Sequence, residues 1–321
     1  MARWYLRALL VVAALGCAYA GVAQLPGADA TTLARPSARI VFVDVGQGDG
    51  IVMRIGNKLI VSDVGEDVEQ AVDQALERLN WRSTRTIDVA ILTHPHDDHV
   101  RNYPALARKW RVKLAVLSET NYWQGTETNR EVADALRDED VPVTMVTRSE
   151  QFDWGGARWT ILNPPKGEFG VGRSQAGNVS VAYLLELNGK RLVFTGDVEE
   201  RVGERIAREV EPVLDGKRVD IFLATHHGAA GGSVQPLLDV LRPRWVVIST
   251  GRNNRFDHPS AETVERLKAS GATIWCTAAN GSITARISSG GRLTWAAGAE
   301  LKAPWWSGRD EIQHGRCGRR Q

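Results

Sequence analysis

The stretch ILTHPHDDHV, residues 91–100, contains three of the seven histidines in this chain of 321 residues. It carries an H-x-H-x-D-H array made of His94, His96, Asp97, Asp98 and His99. Neutral imidazoles and carboxylates are the ligands that zinc and similar divalent metals prefer. The preceding residues, IDVAILT, are apolar and typical of a buried strand. The pattern predicts a metal-binding loop at a strand end, and the alternative is a solvated polar loop with chance histidines.

Three other predicted strands or loops also end in candidate ligands. RLVFTGD ends at Asp197, and a carboxylate there can bridge two metals, although a lone aspartate at a strand end is usually a turn residue. DIFLATHHG brings His226 and His227 to the end of another apolar run. His258 lies in NNRFDHP, just before a predicted helix. The remaining histidine, His314, lies in the tail and has no predicted role.

Apolar, β-branched runs that end in glycine predict strands in both halves of the chain. Examples are IVFVDVG in residues 40–46 and RLVFTGD in residues 191–197. Amphipathic stretches between these runs predict helices, including residues 66–80. Two β-rich halves that each carry helices favour two sheets packed face to face, with the helices outside.

The two ends of the chain differ from its middle. Residues 1–23 combine early arginines, an apolar run and small residues, the order of a secretory signal, and an uncleaved anchor or a lipoprotein signal at Cys17 are alternatives. Each alternative predicts an extracytoplasmic body, periplasmic or secreted, which would be membrane-tethered if an anchor is retained. We expect a linker in residues 24–38, the folded domain in residues 39–301 and a basic flexible tail in residues 302–321.

Composition restricts the function less than the motifs do. The formal net charge is +2 and charged residues make up 24% of the chain, so the overall charge is not that of a dedicated nucleic-acid binder. Cys276 lies in a predicted core strand and Cys317 in the polar tail. We therefore expect two unpaired thiols, although an oxidising compartment would permit a disulfide.

Taken together, these motifs resemble the metallo-β-lactamase superfamily and, within it, the extracytoplasmic hydrolase domain of ComEC-type proteins of DNA-internalisation competence. The resemblance covers residues 39–296. It depends on the complete histidine array and on four shorter motifs, which are DVGQGDG at 44–50, TGD at 195–197, HHG at 226–228 and DHP at 257–259. It implies an α+β fold, a four-layer αββα sandwich, with a binuclear metal site on one edge.

By motif position, the resemblance also implies which residues act. The metal ligands would be His94, His96, Asp98, His99, the bridging Asp197 and His226. The catalytic residues would be Asp98, with Asp97 as the alternative proton relay, and His227 and His258 as donors to a phosphoryl oxygen or leaving group. Asp44 and Asn178 would not bind a metal themselves but would orient the ligands. The spacing leaves open which of His226 and His227 is the ligand. The cofactors would be two divalent metal ions, Zn²⁺ or Mn²⁺.

Two features depart from the superfamily pattern. The superfamily usually places a further histidine ligand between the array and the bridging aspartate, but this chain has no histidine between His99 and His226. Asn178 lies in the matching region, as is common in the ComEC-like group, so the first metal would have open positions for water or phosphate. The motif DHP, which contains His258, replaces the usual GHP.

The sequence thus predicts a secreted binuclear metal-dependent hydrolase, a phosphodiesterase or nuclease related to DNA uptake. Its partners would be single-stranded DNA or another phosphodiester and a membrane channel, because the sequence contains no multi-span region of its own. Candidate DNA contacts around the site are Arg101, Tyr122, Trp123, Trp154, Arg173, Arg252 and Arg255. One alternative is a hydrolase of carboxylic, lactone, β-lactam or phosphorylcholine esters, and another is a non-enzymatic binding domain of an envelope or DNA-uptake assembly.

Overall fold

The computed structural model describes residues 35–297 except 67, 69, 120–124 and 168–172. The predicted signal, most of the predicted linker and the predicted tail lie outside these residues, as do Tyr122 and Trp123. Within the described part of the chain, no helix is both long enough and apolar enough to cross a membrane.

The chain alternates between strands and helices in each half. The strands of the first half are β1 (Ala38–Phe42), β2 (Gly50–Ile55), β3 (Lys58–Val64), β4 (Thr86–Ile87), β5 (Val89–Leu92), β6 (Arg111–Val112), β7 (Ala115–Ser118) and β8 (Val143–Val146). Those of the second half are β9 (Gln151–Trp154), β10 (Ala157–Asn163), β11 (Ala182–Leu187), β12 (Lys190–Phe194), β13 (Ile221–Leu223), β14 (Trp245–Ile248), β15 (Thr273–Cys276), β16 (Ile283–Ile287) and β17 (Leu293–Ala297). The helices are α1 (Ala71–Leu79), α2 (Asp97–Val100), α3 (Tyr103–Ala107), α4 (Glu127–Asp138), α5 (Glu200–Leu214), α6 (Gln235–Leu241), α7 (Ala261–Ala269) and α8 (Thr277–Asn280).

These strands form two large sheets. The first has the order β17-β16-β1-β2-β3-β5-β7-β8, and the second has the order β15-β14-β13-β12-β11-β10-β9. The last strands of the chain, β16 and β17, therefore return to the first sheet, where β16 pairs antiparallel with β1. The central strands β3, β5 and β7 are parallel, as are β12, β13 and β14. Their carboxyl ends therefore lie at a common edge of each sheet.

Successive side chains along each strand point to opposite faces of its sheet, and the apolar ones form three layers. One layer lies between the sheets and contains Phe42 and Phe194, whose ring centroids are 6.3 Å apart. A second layer covers the outer face of the first sheet and contains Leu76 and Leu79 of α1. A third layer covers the second sheet and contains Ile206 of α5. The order helix, sheet, sheet, helix confirms the predicted αββα sandwich.

Two details differ from the sequence-based expectations. The helix expected over residues 66–80 is α1, which begins at Ala71, and Val68 is 44% exposed instead of joining the apolar face. Cys276, buried at the end of β15, is disulfide-bonded, so the prediction of two unpaired thiols was wrong for this residue. The described residues contain no other cysteine.

Candidate metal centre

The histidine array occupies the loop between β5 and the single helical turn α2. His94 is fully buried two residues after the end of the strand, and the half-buried His96 directly precedes the turn. The backbone N–H of His99 donates to the His96 carbonyl at 3.0 Å, which closes the turn and directs the imidazole of His99 inward. A rigid strand and one helical turn therefore fix all three imidazoles on the same side of the loop.

The glycine-rich loop between β1 and β2 supports this turn. Gly48 has a φ of +112°, and a Cβ placed on it would lie 1.9 Å from the carbonyl oxygen of Asp98. The N–H of the next residue, Asp49, donates to that same oxygen at 3.2 Å. The motif GQGDG is therefore a close-packed support for the loop that carries Asp98, because only glycine permits such an approach.

His94, His96 and Asp197 form the first group of candidate ligands. The Nε2 atom of His94 lies 2.9 Å from Nδ1 of His96 and 3.4 Å from Oδ2 of Asp197. Burial, followed by the charge on His99, lowers the pKa of His94 to about 3. His94 is therefore neutral at ordinary pH, which is the form that can bind a metal.

A second group surrounds the other oxygen of Asp197. The Nε2 atoms of His99 and His227 lie 3.2 Å from each other and 3.2 and 3.5 Å from Oδ1 of Asp197. Oδ2 of Asp98 lies 3.3 Å from the same nitrogen of His227. Asp197 therefore presents one carboxylate oxygen to each group, as a bridging ligand would. Its Oδ1 is buried and accepts no hydrogen bond in the described structure.

The hydrogen bonds made by the Nδ1 atoms of His99 and His227 indicate what the second group can bind. Nδ1 of His99 lies 2.8 Å from the carboxylate of Asp63, and Nδ1 of His227 lies 3.0 Å from the carbonyl oxygen of Ser249. Both Nδ1 atoms must donate, so each neutral ring carries its lone pair on Nε2. Two lone pairs and two carboxylates thus converge on one buried point, and only a positive charge stabilises that arrangement. The donor set fits a divalent cation.

The electrostatics of the second group agree with this conclusion. Burial alone would lower the pKa of His99 and His227, but nearby carboxylates, Asp197 first among them, raise both values well above the ordinary one. Burial alone would raise the pKa of Asp197, but the charges on His99, His226 and His227 hold it well below its usual range. Without a metal, protons on the imidazoles provide the positive charge that this cluster requires.

The structure reverses the positions expected for the two adjacent histidines. It places His227 in the second group, whereas His226 was the expected ligand. His226 is 28% exposed at the cavity, with Nε2 3.7 Å from Oδ2 of Asp197 and Nδ1 3.7 Å from Glu199. Both residues have left-handed backbones, with φ of 51° and 54°, in the short turn Thr225–Gly228. This sharp turn decides which ring points inward, and sequence spacing does not encode it.

The carboxylates that brace the imidazoles also differ from the expectation. Asp44 was the expected support, but its carboxylate accepts a 3.4 Å hydrogen bond from the Gly46 N–H within its own loop. Asp63 braces His99 instead. Asp49 lies close to the second group, but its Oδ1 is 3.4 Å from Nδ1 of His227. Asp49 also belongs, with His99, Asp197 and His227, to a set of residues whose ligand atoms all lie within 4.8 Å of one another, so it is a further candidate ligand of the second group.

Asn178 occupies the region where the superfamily has its further histidine, but its contacts are those of a helix cap. Its Oδ1 accepts a hydrogen bond of 2.8 Å from the N–H of Glu199, which is the residue before α5. Its side chain forms no hydrogen bond to the candidate ligands that the structure describes. The first group therefore remains smaller than the second.

A cavity of about 260 Å³ opens over both groups. His258 lies in its wall, with its ring centroid 5.6 Å from that of His226 and 6.4 Å from that of His227. Burial, followed by the charges on these two histidines, lowers the pKa of His258 to about 4. His258 therefore lies at the site, and its catalytic role stays a prediction.

Phe256 is a cavity residue that the sequence analysis missed. It is 46% exposed, and its ring stacks on that of His258 with a centroid distance of 5.7 Å and an interplanar angle of 19°. The guanidinium of Arg255 lies 4.8 Å from the centroid of the Phe256 ring. The motif NNRFDHP could have indicated this position, because a phenylalanine in a polar loop, two residues before a site histidine, is not expected to pack in the hydrophobic core.

The other candidate DNA contacts are distributed more widely. Arg101 is exposed and lies 3.5 Å from Asp97 in the array loop. Arg252 donates through Nε to the carbonyl of Ala278. Trp154 packs at the edge of the layer between the sheets, with its ring 6.4 Å from that of Trp159, so its predicted place at the site was wrong. The side chain of Arg173 lies outside the described part.

Comparison with known proteins agrees with this geometry. A model of the metallo-beta-lactamase superfamily matches residues 43–252. ComE operon protein 3 of Bacillus subtilis is 24% identical over 261 residues, which cover 76% of this chain and 32% of that protein. Recombination protein 2 of Haemophilus influenzae is 26% identical over 255 residues, which cover 78% of this chain and 29% of that protein. The chain thus spans about a third of the length of these curated relatives.

Together with Competence protein ComA of Neisseria gonorrhoeae, which is 21% identical over 254 residues, these relatives confirm the predicted resemblance to ComEC-type proteins. The solved structure of unliganded yeast PDE1 has a TM-score of 0.50 and 11% identity, and the match covers 75% of this chain and 97% of that one. At this identity the likeness concerns the fold alone. Since the superfamily model covers more than half of the chain, including the histidine array and Asp197, this chain belongs to the metallo-β-lactamase superfamily.

Proposed function

We propose that this protein is an extracytoplasmic, binuclear metal-dependent phosphodiesterase that cleaves single-stranded DNA in connection with DNA uptake. The observation that carries the proposal is the pair of ligand groups that share the carboxylate of Asp197 under an open polar cavity. Paired metals of this kind serve phosphatases and nucleases, because they act on both the attacking and the leaving oxygen. The name of the relative Recombination protein 2 supports DNA as the substrate.

The two groups would hold the metals unequally. One metal would be held by His94, His96 and Asp197, and the other by Asp98, His99, Asp197 and His227. Bound there, divalent metals would supply a hydroxide at neutral pH and stabilise negative charge on a phosphoryl group. Zn²⁺ and Mn²⁺ both suit these ligands, and the smaller number of ligands in the first group leaves room for a phosphate oxygen.

The remaining cavity residues have roles that follow from their positions. Asp98 is 17% exposed, so its carboxylate reaches both the second group and the cavity and can hold the proton released from the nucleophile. His226 and His258 line the cavity and are placed to donate N–H groups to a phosphoryl oxygen or a leaving group. Donors that are already positioned where charge develops are effective because they require no reorganisation during the reaction.

Arg255 and Phe256 are placed to bind the parts of a nucleotide strand next to the cleaved phosphate, namely a base and a neighbouring phosphate. An exposed aromatic ring is a stacking surface for a base, and stacking contributes about 1–3 kcal/mol per base in proteins that bind single strands. Arg255 is exposed beside that ring and can contact the neighbouring phosphate. This pair, next to His258, favours a nucleic-acid strand over a small carboxylic or lactone ester.

The experiment is hydrolysis of bis(p-nitrophenyl) phosphate and of single-stranded DNA, with added Mn²⁺ or Zn²⁺. The variants are Asp197→Asn and His99→Ala, and the matched control is Asp153→Asn, an exposed aspartate that pairs with Arg158 far along the second sheet. We expect metal-dependent cleavage that falls by roughly 100- to 1,000-fold in both site variants, as for the loss of a main electrostatic stabiliser. The control should retain full activity.

Other outcomes would replace the proposal. Metal binding with no phosphodiester cleavage would favour carboxylic, lactone, β-lactam or phosphorylcholine esters, which belong in the same assay panel. Absence of bound metal would indicate a non-enzymatic binding domain in an envelope or DNA-uptake assembly. Cleavage that is equal in Asp197→Asn and in the wild type would exclude this site as the catalytic one.

The cellular context is part of the same proposal. We place the hydrolase domain at residues 39–301, after a signal or anchor in residues 1–23, with a membrane channel as a partner. N-terminal sequencing of the mature chain from fractionated cells tests the first point, since a start near residue 24 in the extracytoplasmic fraction is expected. A cytoplasmic chain that retains Met1 would contradict it.

A further inference from the structure

A row of arginines crosses the outer face of the first sheet. Arg286 on β16, Arg39 on β1 and Arg54 on β2 occupy directly opposed positions, because Arg39 pairs with Arg286 on one side and with Arg54 on the other. Arg82, in the loop after α1, extends the series beside Arg54. The arginine row is defined here as Arg39, Arg54, Arg82 and Arg286.

Carboxylates compensate little of this charge. Arg82 pairs with Asp88 at 2.6 Å. Arg39 and Arg286 are exposed, and neither forms an ion pair or a side-chain hydrogen bond with any residue that the structure describes. Burial and the charges on Arg39 and Arg82 lower the pKa of the Arg54 guanidinium. Like charges directly opposite each other destabilise a sheet, so the free protein bears a cost that a bound anion would remove.

An exposed tryptophan, Trp81, lies against two arginines of the row. Trp81 is 39% exposed, and the guanidinium groups of Arg54 and Arg82 lie 4.0 and 4.7 Å from its ring centroid. Arg82 is held in place by a 3.1 Å hydrogen bond to the carbonyl of Thr86 as well as by Asp88. These cations are therefore ordered before any ligand arrives, which reduces the entropy lost on binding.

The arginine row is separate from the metal centre. Arg54 lies opposite Leu59 on β3, and Asp63, which braces His99, is four residues farther along the same strand. Four residues of strand span about 13 Å. No member of the row lines the cavity over the candidate ligands.

We propose that the arginine row and Trp81 form a second binding site for the phosphodiester backbone of a single nucleic-acid strand. The row is one residue wide, and adjacent strands lie about 4.8 Å apart, so it matches a linear anion better than a broad charged surface. Basic grooves with interleaved aromatic rings are typical of proteins that bind single strands. The inference extends the proposed function, because the strand held here would be a substrate, but binding itself requires no metal.

The experiment measures binding of the full chain to a fluorescent thymidine oligonucleotide by anisotropy, in EDTA and over a range of salt concentrations. The test variant is Arg39→Gln with Arg286→Gln, which removes two uncompensated charges. The matched control is Arg130→Gln with Arg208→Gln, two exposed arginines on α4 and α5 that make the same change in net charge.

Each phosphate contact to a single strand contributes about 0.7 to the slope of log affinity against log salt, so two contacts contribute about 1.4. We expect the test variant to bind roughly 25-fold more weakly at 0.1 M salt, with a slope reduced by about 1.4. Its melting temperature should be equal to or above that of the wild type, because a like-charge repulsion is removed. The control should change neither affinity nor slope appreciably.

Two results would overturn the inference. One is an equal change in affinity and slope for the test and control variants. The other is loss of binding to phosphatidylglycerol vesicles with DNA binding intact, which would assign the row to a membrane surface. Hydrolysis of bis(p-nitrophenyl) phosphate is measured on the same variants. Because that substrate does not reach the row, its hydrolysis reports on the proposed function independently.

Discussion

Replacing Asp63 by asparagine would change the metal affinity of the second ligand group without changing its shape. Asp63 is fully buried, with Oδ2 2.8 Å from Nδ1 of His99 and 2.6 Å from Oγ1 of Thr93, while Oδ1 accepts the N–H of Thr93 at 2.8 Å. Its φ of 54° is left-handed, which asparagine tolerates. The asparagine oxygen would retain the Thr93 N–H, so its amide nitrogen would face His99.

That amide donates only, so the proton on Nδ1 of His99 must move to Nε2, where it blocks the lone pair aimed at the metal. Loss of such a supporting carboxylate weakens metal binding by about 10- to 100-fold, or about 1.4–2.7 kcal/mol. The assay is competition with a fluorescent chelator, with thermal unfolding of the metal-free protein to confirm folding. Asp44→Asn is the control, since the Asp44 carboxylate accepts a hydrogen bond within its own loop, and its effect should be below about threefold.

Unchanged metal affinity in Asp63→Asn, in a folded protein, would refute this reasoning. An equal loss in Asp44→Asn would refute it as well, because it would return the supporting role to the residue that the sequence motif suggested.

Three other changes test separate parts of the account. Gly48→Ala should lower the free energy of unfolding by at least about 2 kcal/mol and abolish hydrolysis, because the new methyl group would meet the carbonyl of Asp98; urea unfolding with wild-type stability would contradict this. Burial would raise the pKa of Asp88, but hydrogen bonds from the Leu59 N–H and two cationic side chains hold this pKa below its usual value. The ionised Asp88 therefore stabilises the folded protein above about pH 4, and this contribution is lost as the pH falls through the lowered pKa. Asp88→Asn should thus cost about 1–3 kcal/mol at pH 7 and progressively less below pH 4 in urea unfolding, and an equal cost at pH 3 would be inconsistent with the linkage. Phe256→Ala should reduce kcat/KM on single-stranded DNA by about 5- to 100-fold and leave an abasic oligonucleotide unaffected; an equal loss on both substrates would rule out base stacking.

The sequence allowed the fold and the location of the site to be predicted because both depend on regular features. Apolar strands that end in polar residues recur in both halves, and carboxyl ends of parallel strands meet at one edge. His99 and Asp197 are far apart in the chain, yet their side chains lie 3.2 Å apart because each follows such a strand. Alternation along the strands likewise produced the layer between the sheets.

Residues in irregular backbone could not be assigned in the same way. His226 and His227 are adjacent, and two left-handed residues in one turn decide which ring is buried beside His99 and which stays partly exposed at the cavity. Asp63 lies within the largely apolar strand β3, and its left-handed backbone turns the carboxylate toward His99. Neither conformation follows from hydrophobic periodicity, because positive φ at a non-glycine residue is set by tertiary packing.

The most direct test of the central claim is anomalous diffraction from crystals of the full chain loaded with Mn²⁺ or Zn²⁺. Two anomalous peaks are expected on either side of Asp197, one beside His94 and His96 and the other beside His99 and His227. The peak beside the second group should be the stronger at limiting metal, since that group offers more ligands. A single peak that does not contact Asp197, or the absence of any peak at the array, would contradict the binuclear centre.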